Sequence, residues 1–133
     1  MRSDPDADRG AGVSVGCIGA GHWGKNLVRN FEGLGALKRV FDADAEIRDG
    51  LRSQYPDSVL ISASVQEVLE DPSIDAVCIA TPAETHGALI KRALDAGKDV
   101  LVEKPLCLSV EEGEELVDRA EAAGRVLMVG HLL

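Results

Sequence analysis

An apolar stretch, Val13-Ser14-Val15-Gly16-Cys17-Ile18, runs directly into Gly19-Ala20-Gly21-His22-Trp23-Gly24. A helical pattern follows, with Trp23, Leu27, Phe31 and Leu34 on one face. A G-x-G-x-x-G alone is a weak signal, but strand, glycine turn and helix in that order form a dinucleotide-binding fingerprint. The glycines have separable jobs. Gly19 permits the tight turn, Gly21 lets the backbone approach a pyrophosphate, and Gly24 lets helix and strand pack closely. The start of the helix then offers unpaired N–H groups and a positive dipole end to phosphates. His22 and Trp23, inside the loop, are counted with the glycines as cofactor-binding candidates. Trp23 is expected to pack beneath the loop rather than stack on a base.

The next apolar stretch, Leu37-Lys38-Arg39-Val40-Phe41, ends at Asp42. A carboxylate about 20 residues beyond the glycines accepts hydrogen bonds from the adenosine ribose and repels a 2′-phosphate. NAD is therefore expected, and NADP is disfavoured. Arg39 is the dissenting cation, but strand alternation from Asp42 turns it elsewhere.

Beyond this unit, strand-like and helix-like segments alternate. Strands are expected at Val13–Ile18, Leu37–Phe41, Val59–Ile61, Ala76–Ala80, Val100–Val102 and Val126–Val129. Helices are expected at His22–Leu34, Ala45–Gln54, Val65–Glu70, Glu84–Ala96 and Val110–Ala123. Ser64 with Glu67 and Ser109 with Glu112 read as capping boxes, and Gly97 and Gly124 as left-handed helix ends. This spacing implies βαβ units, hence an α/β fold with a doubly wound, mostly parallel sheet and helices on both faces. The strands are apolar without clean alternation, which suits a sheet covered on both sides. The glycine loop, Asp42, Thr81-Pro82 and Glu103-Lys104-Pro105 all fall at the carboxyl ends of strands, where open α/β sheets bind ligands.

With 133 residues and 45% hydrophobic composition, the chain holds one domain, expected over 13–133. Met1 to Gly12 is polar and reads as a disordered lead without the apolar core of a signal peptide. No stretch approaches the roughly 18 apolar residues of a membrane span. The net charge of −9 argues against nucleic-acid or anionic-membrane binding. It does not exclude an anionic cofactor held locally at a helix start. The three cysteines, Cys17, Cys78 and Cys107, show no paired spacing. They suit a reduced, cytoplasmic compartment. With the three scattered histidines, they make no metal site.

Together, Gly19-Ala20-Gly21-His22-Trp23-Gly24, Ala80-Thr81-Pro82-Ala83-Glu84-Thr85-His86 and Glu103-Lys104-Pro105 resemble the N-terminal half of the glucose-fructose oxidoreductase/inositol dehydrogenase family of NAD(P)-dependent sugar oxidoreductases. The resemblance runs from Val13 to His131. The stretch Gly21-His22-Trp23-Gly24-Lys25-Asn26-Leu27-Val28-Arg29-Asn30 is similar to the branch that oxidises the 3-position of UDP-linked N-acetylated hexoses or their uronates. The resemblance implies that Lys104 reaches the substrate hydroxyls beside the nicotinamide, and that Lys104–Pro105 is a cis bond. An ammonium there orients a sugar and favours a developing alkoxide. Lowered in pKa by burial and a nearby cation, it also relays a proton. The plain alternative is a surface lysine paired with Glu103.

The resemblance further implies that Thr81 and Pro82 line the cofactor, and that Glu103 contacts the nicotinamide ribose or braces its loop. Thr81 also reads as a helix cap followed by Pro82 at the first helical position. His86 reads as a satisfied structural histidine, and His131 as bordering the site. Family members continue into an α+β domain that supplies most of the sugar site, usually a catalytic histidine, and the interface of a homo-oligomer. This chain shows no counterpart after Leu133, so it is expected to bind NAD without turning over a sugar. Two function classes fit: the cofactor half of a sugar oxidoreductase, and a free-standing dinucleotide-binding sensor.

Overall fold

The computed structural model describes residues 12–130. The stretch before Gly12 and His131 lie outside the described residues, so the expectations attached to them are not addressed. Six strands form one sheet: β1 (Val15–Ile18), β2 (Leu37–Phe41), β3 (Leu60–Ser62), β4 (Ala76–Ile79), β5 (Asp99–Glu103) and β6 (Leu127–Gly130). Their spatial order is β3-β2-β1-β4-β5-β6, and every neighbouring pair is parallel. The helices are α1 (Gly24–Gly33), α2 (Ala45–Gln54), α3 (Val65–Glu70), α4 (His86–Asp95) and α5 (Val110–Ala123). This is the doubly wound arrangement that the sequence implies.

The sheet is buried on both faces. On one, Ile18, Val77, Ile79 and Val102 pack with Val68, Ile90 and Leu116 from α3, α4 and α5. On the other, Cys17, Val40 and Cys78 pack with Val28 and Leu51 from α1 and α2. Each fully buried aliphatic side chain contributes roughly 1.5–3 kcal/mol. Gly16 sets the approach of the short helix α3, because a Cβ there would stand 2.5 Å from Val68 Cγ1. Cys17 and Cys78 are register partners on β1 and β4. Hydrogen bonding to Cys78, then burial, pushes the Cys17 thiol well above its ordinary value.

Local signals hold in most places. Ser64 Oγ accepts from Glu67 N and Ser109 Oγ from Glu112 N. Gly97 and Gly124 take positive φ. The reciprocal halves of the boxes differ from expectation. Glu67 Oε2 accepts from Ala63 N at 3.0 Å, one residue before the cap. Glu112 instead lays its carboxylate over Gly87 in α4. Helix α1 starts at Gly24 rather than His22, and both Trp23 and Leu34 are exposed. Val28, with no surface exposed, is the buried apolar side chain of that helix.

The segment expected to start a helix at Glu84 forms a 3-10 turn over Ala83–Thr85 before α4 begins. Thr81 does not cap it. Its hydroxyl lies 2.6 Å from Thr85 Oγ1, and Pro82 occupies the cap position.

Candidate dinucleotide-binding site

The strand order reverses between β1 and β4, and the loops leaving these strands open a crevice at the switch point. Gly19 begins the loop with φ +99, and a Cβ there would stand 2.5 Å from Ala80 O. A Cβ on Gly24 would run into Gly19 O. Gly21 has nothing within 4 Å of the corresponding position. Two glycines are thus closed by their surroundings and the middle one is open. No side chain caps α1. Lys25 N donates to Gly21 O and Asn26 N to Trp23 O, whereas the N–H groups of His22, Trp23 and Gly24 meet no acceptor among the described residues. These groups and the open Gly21 fit the phosphates of a dinucleotide.

Trp23 does not pack beneath this loop. It is 58% exposed and meets the exposed His22 ring edge-to-face at 6.1 Å.

Asp42 has a structural task that the sequence did not reveal. Its Oδ2 accepts from Ala20 N at 2.8 Å and its Oδ1 from Asp44 N at 2.9 Å. With Gly19 N donating to Phe41 O, these bonds fasten the glycine loop to the end of β2. Each carboxylate oxygen keeps acceptor capacity for a ligand hydroxyl. Arg39 is engaged elsewhere, with Nε 2.7 Å from Asp71 Oδ2 and Nη1 3.2 Å from Ser62 Oγ. The cation that does approach Asp42 is Arg48, whose Nη1 donates to the Asp42 and Ala43 carbonyls. Sequence reading missed it, although its place in the first turns of α2 follows from the register of that helix.

Gly19, Gly21, Asp42, Thr81 and Pro82 line one cavity of about 190 Å³, together with Phe41, Ala43 and Ala80. Thr85 Oγ1 lies 2.6 Å from Pro82 O and donates its proton there. Thr81 therefore donates to Thr85, which leaves the Thr81 oxygen able to accept. A larger concavity of about 580 Å³, beside the 106–109 turn and α5, contains none of the expected site residues.

Glu103 and Lys104 lie outside the smaller cavity, at the end of β5. Glu103 is half-buried and rests against Gly130, its register partner on β6. Lys104 is exposed, and it makes no ion pair among the described residues, with Glu103 or any other. The burial expected to tune Lys104 is therefore not provided by the described residues. The Lys104–Pro105 bond is cis. His86 is buried, with Nδ1 2.6 Å from Pro105 O and Nε2 2.8 Å from Thr81 O. Among the described residues no three His, Cys, Asp or Glu side chains gather as metal ligands. No described helix is long and apolar enough to cross a membrane.

Residues 13–131 match the model of the oxidoreductase family with an NAD-binding Rossmann fold. The chain belongs to the glucose-fructose oxidoreductase/inositol dehydrogenase family. Within that family it is 34% identical over 120 residues to UDP-N-acetylglucosamine 3-dehydrogenase of Acidithiobacillus ferrooxidans, covering 90% of this chain and 37% of the relative. The solved structure of that enzyme superposes with a TM-score of 0.81, at 34% identity, over 89% of this chain and 36% of that one.

A segment of 66 residues is 48% identical to scyllo-inositol 2-dehydrogenase (NAD(+)) of Bacillus subtilis, covering 50% of this chain and 19% of the relative. Biliverdin reductase of Synechocystis, solved with biliverdin and NADP+, superposes with a TM-score of 0.83 at 32% identity, over 90% of this chain and 38% of that one. The chain thus spans little more than a third of the length of these relatives at most. It is the NAD-binding half of this family's architecture.

Proposed function

We propose that this domain binds NAD in preference to NADP and supports hydride transfer between the nicotinamide and a hydroxyl of a sugar or nucleotide sugar. The observation that carries the reading is Asp42, which lines the cavity while Arg39 is held away by Asp71. A 2′-phosphate there would meet a negative charge, whereas ribose hydroxyls would meet acceptors. The N–H groups of His22, Trp23 and Gly24, above the open Gly21, would hold the pyrophosphate. Thr81, accepting, and Pro82 would face a ribose. Glu103 would brace the nicotinamide-side loop.

Bound there, the dinucleotide supplies a hydride donor or acceptor. Lys104, whose exposed ammonium beyond β5 makes no ion pair among the described residues, is the proposed catalytic group. It would hold the substrate hydroxyl and stabilise negative charge developing on that oxygen. The similarity to UDP-N-acetylglucosamine 3-dehydrogenase and the Gly21–Asn30 stretch support a nucleotide-linked N-acetylated hexose as substrate class. The free thiols of Cys17, Cys78 and Cys107 support a reducing, cytoplasmic setting.

The test is a titration of NAD and NADP followed by Trp23 fluorescence and by calorimetry. Trp23 is the single tryptophan, and it stands beside the pyrophosphate loop. NAD is expected to saturate with an affinity at least about tenfold above NADP, a difference of about 1.4 kcal/mol. Equal affinities would remove Asp42 as the selector, and absence of binding by both methods would overturn the reading.

A further inference from the structure

His86 is buried to 1% exposure and takes no part in the function proposed above. Both of its ring nitrogens face carbonyl oxygens, Nδ1 that of Pro105 at 2.6 Å and Nε2 that of Thr81 at 2.8 Å. A carbonyl oxygen only accepts, so each contact is a hydrogen bond only when the nitrogen carries a proton. A neutral imidazole has one N–H and one bare lone pair. Either neutral tautomer would set that lone pair against a carbonyl oxygen inside the protein, where an unmade bond is costly. The doubly protonated ring satisfies both.

The two carbonyls belong to different loops. Thr81 follows β4 and lines the dinucleotide cavity. Pro105 follows Lys104 beyond β5. No other side chain bonds to both loops among the described residues. The neighbouring ionisable groups do not displace the tie. From α5, the Glu112 carboxylate lies over Gly87, the next residue of α4. Glu84, in the 3-10 turn, and Lys104 itself are both exposed. Glu103 rests against β6.

We propose that His86 is a positioning residue: donating through both ring nitrogens, it ties the Lys104–Pro105 turn to the Thr81 loop and fixes where the Lys104 ammonium stands relative to the dinucleotide. The inference rests on the reading that Lys104 works at the nicotinamide end.

Two measurements on the whole chain test it. A long-range proton–nitrogen correlation spectrum, with His86 assigned through its bonds to the backbone, is expected to show a proton on each ring nitrogen, one for each carbonyl. A single protonated nitrogen overturns the double tie, and this readout needs no variant. The second measurement compares NAD with ADP by calorimetry in the wild type and in His86→Gln. The amide of glutamine offers its donors from one atom, so it cannot serve both loops. NAD affinity is expected to fall about tenfold, while ADP affinity, which depends on the glycine loop and Asp42, stays within about twofold.

An equal loss for both ligands would mark a general structural defect, and no loss for either would mark an idle contact; each overturns the positioning role. A wild type that binds ADP but gains nothing from the nicotinamide half would instead sink the reading on which this inference rests, with the ring spectrum still reporting the tie.

Discussion

Gly19, Gly21 and Gly24 differ in what an added methyl group would meet, and the difference separates folding from binding at the scale of single residues. At Gly24 the methyl meets the Gly19 carbonyl, backbone against backbone, with no flexible side chain to yield. Gly24→Ala is therefore expected to lower the unfolding free energy by more than about 2 kcal/mol, read from urea midpoints. At Gly21 the methyl enters open space. Gly21→Ala is expected to change stability by less than about 1 kcal/mol, yet to weaken NAD binding at least about tenfold, because the open space is where the pyrophosphate would approach. If both variants lost stability alike, the separate jobs assigned to the glycines would be wrong. Asp42 shows a residue with both kinds of task, since the carboxylate that would select the ribose also fastens the Ala20 N–H.

At the scale of elements, the turn between α3 and β4 links strands that are distant in sequence. Asp71 accepts from the Ser73 hydroxyl and N–H and from Arg39 of β2. The Ser73 hydroxyl and then the Arg39 guanidinium hold this carboxyl well below its ordinary value of 3.8. A depressed folded value means that the charged form stabilises the fold above about pH 4, and that this contribution is lost as pH falls toward the folded value. Asp71→Asn is expected to be less stable than the wild type at neutral pH and to show a shallower loss between about pH 4 and pH 2, so that the two curves converge in acid. Parallel curves in thermal melts across that range would show that Asp71 carries no such linkage.

Elements also show what could be read in advance. The bounds of α3 and α5 were legible because Ser64, Ser109 and Gly124 mark helix ends through bonds only a few residues long. The 3-10 turn before α4 was not legible, because it depends on Thr81 donating to the Thr85 hydroxyl while that hydroxyl donates back to the Pro82 carbonyl. Nor was the Asp42 bond to Ala20, which exists only once β1 and β2 lie side by side. The strand-end positions of Thr81 and Lys104 were legible from strand order alone. Whether Lys104 stands free or paired is a matter of packing that no local pattern encodes.

At the scale of the whole molecule, the two edges of the parallel sheet have been given different work. The carboxyl edge carries the glycine loop, Asp42, Thr81 and Lys104, with N–H groups and an ammonium that meet no partner among the described residues. The amino edge is closed by mutual hydrogen bonding. Ser14 N donates to Asp75 and Val126 N to Asp99. The Lys98 ammonium, on a residue only 5% exposed, donates to the Asp71 and Ile74 carbonyls at 2.8 and 2.6 Å. The polar groups named at the amino edge are thus satisfied within the protein, while those at the carboxyl edge remain available to a ligand. If the edges are independent in this sense, stability and binding can be changed separately. Lys98→Met keeps most of the apolar stem but leaves both carbonyls without their donor, and is expected to cost about 2–3 kcal/mol in urea unfolding. NAD affinity, measured well below the unfolding transition, is expected to stay within about twofold, because each loop of the carboxyl edge keeps its own hydrogen bonds. A loss of NAD affinity in step with the loss of stability would mean that the sheet transmits strain from one edge to the other, and that the loops are not fixed locally by Asp42 and His86.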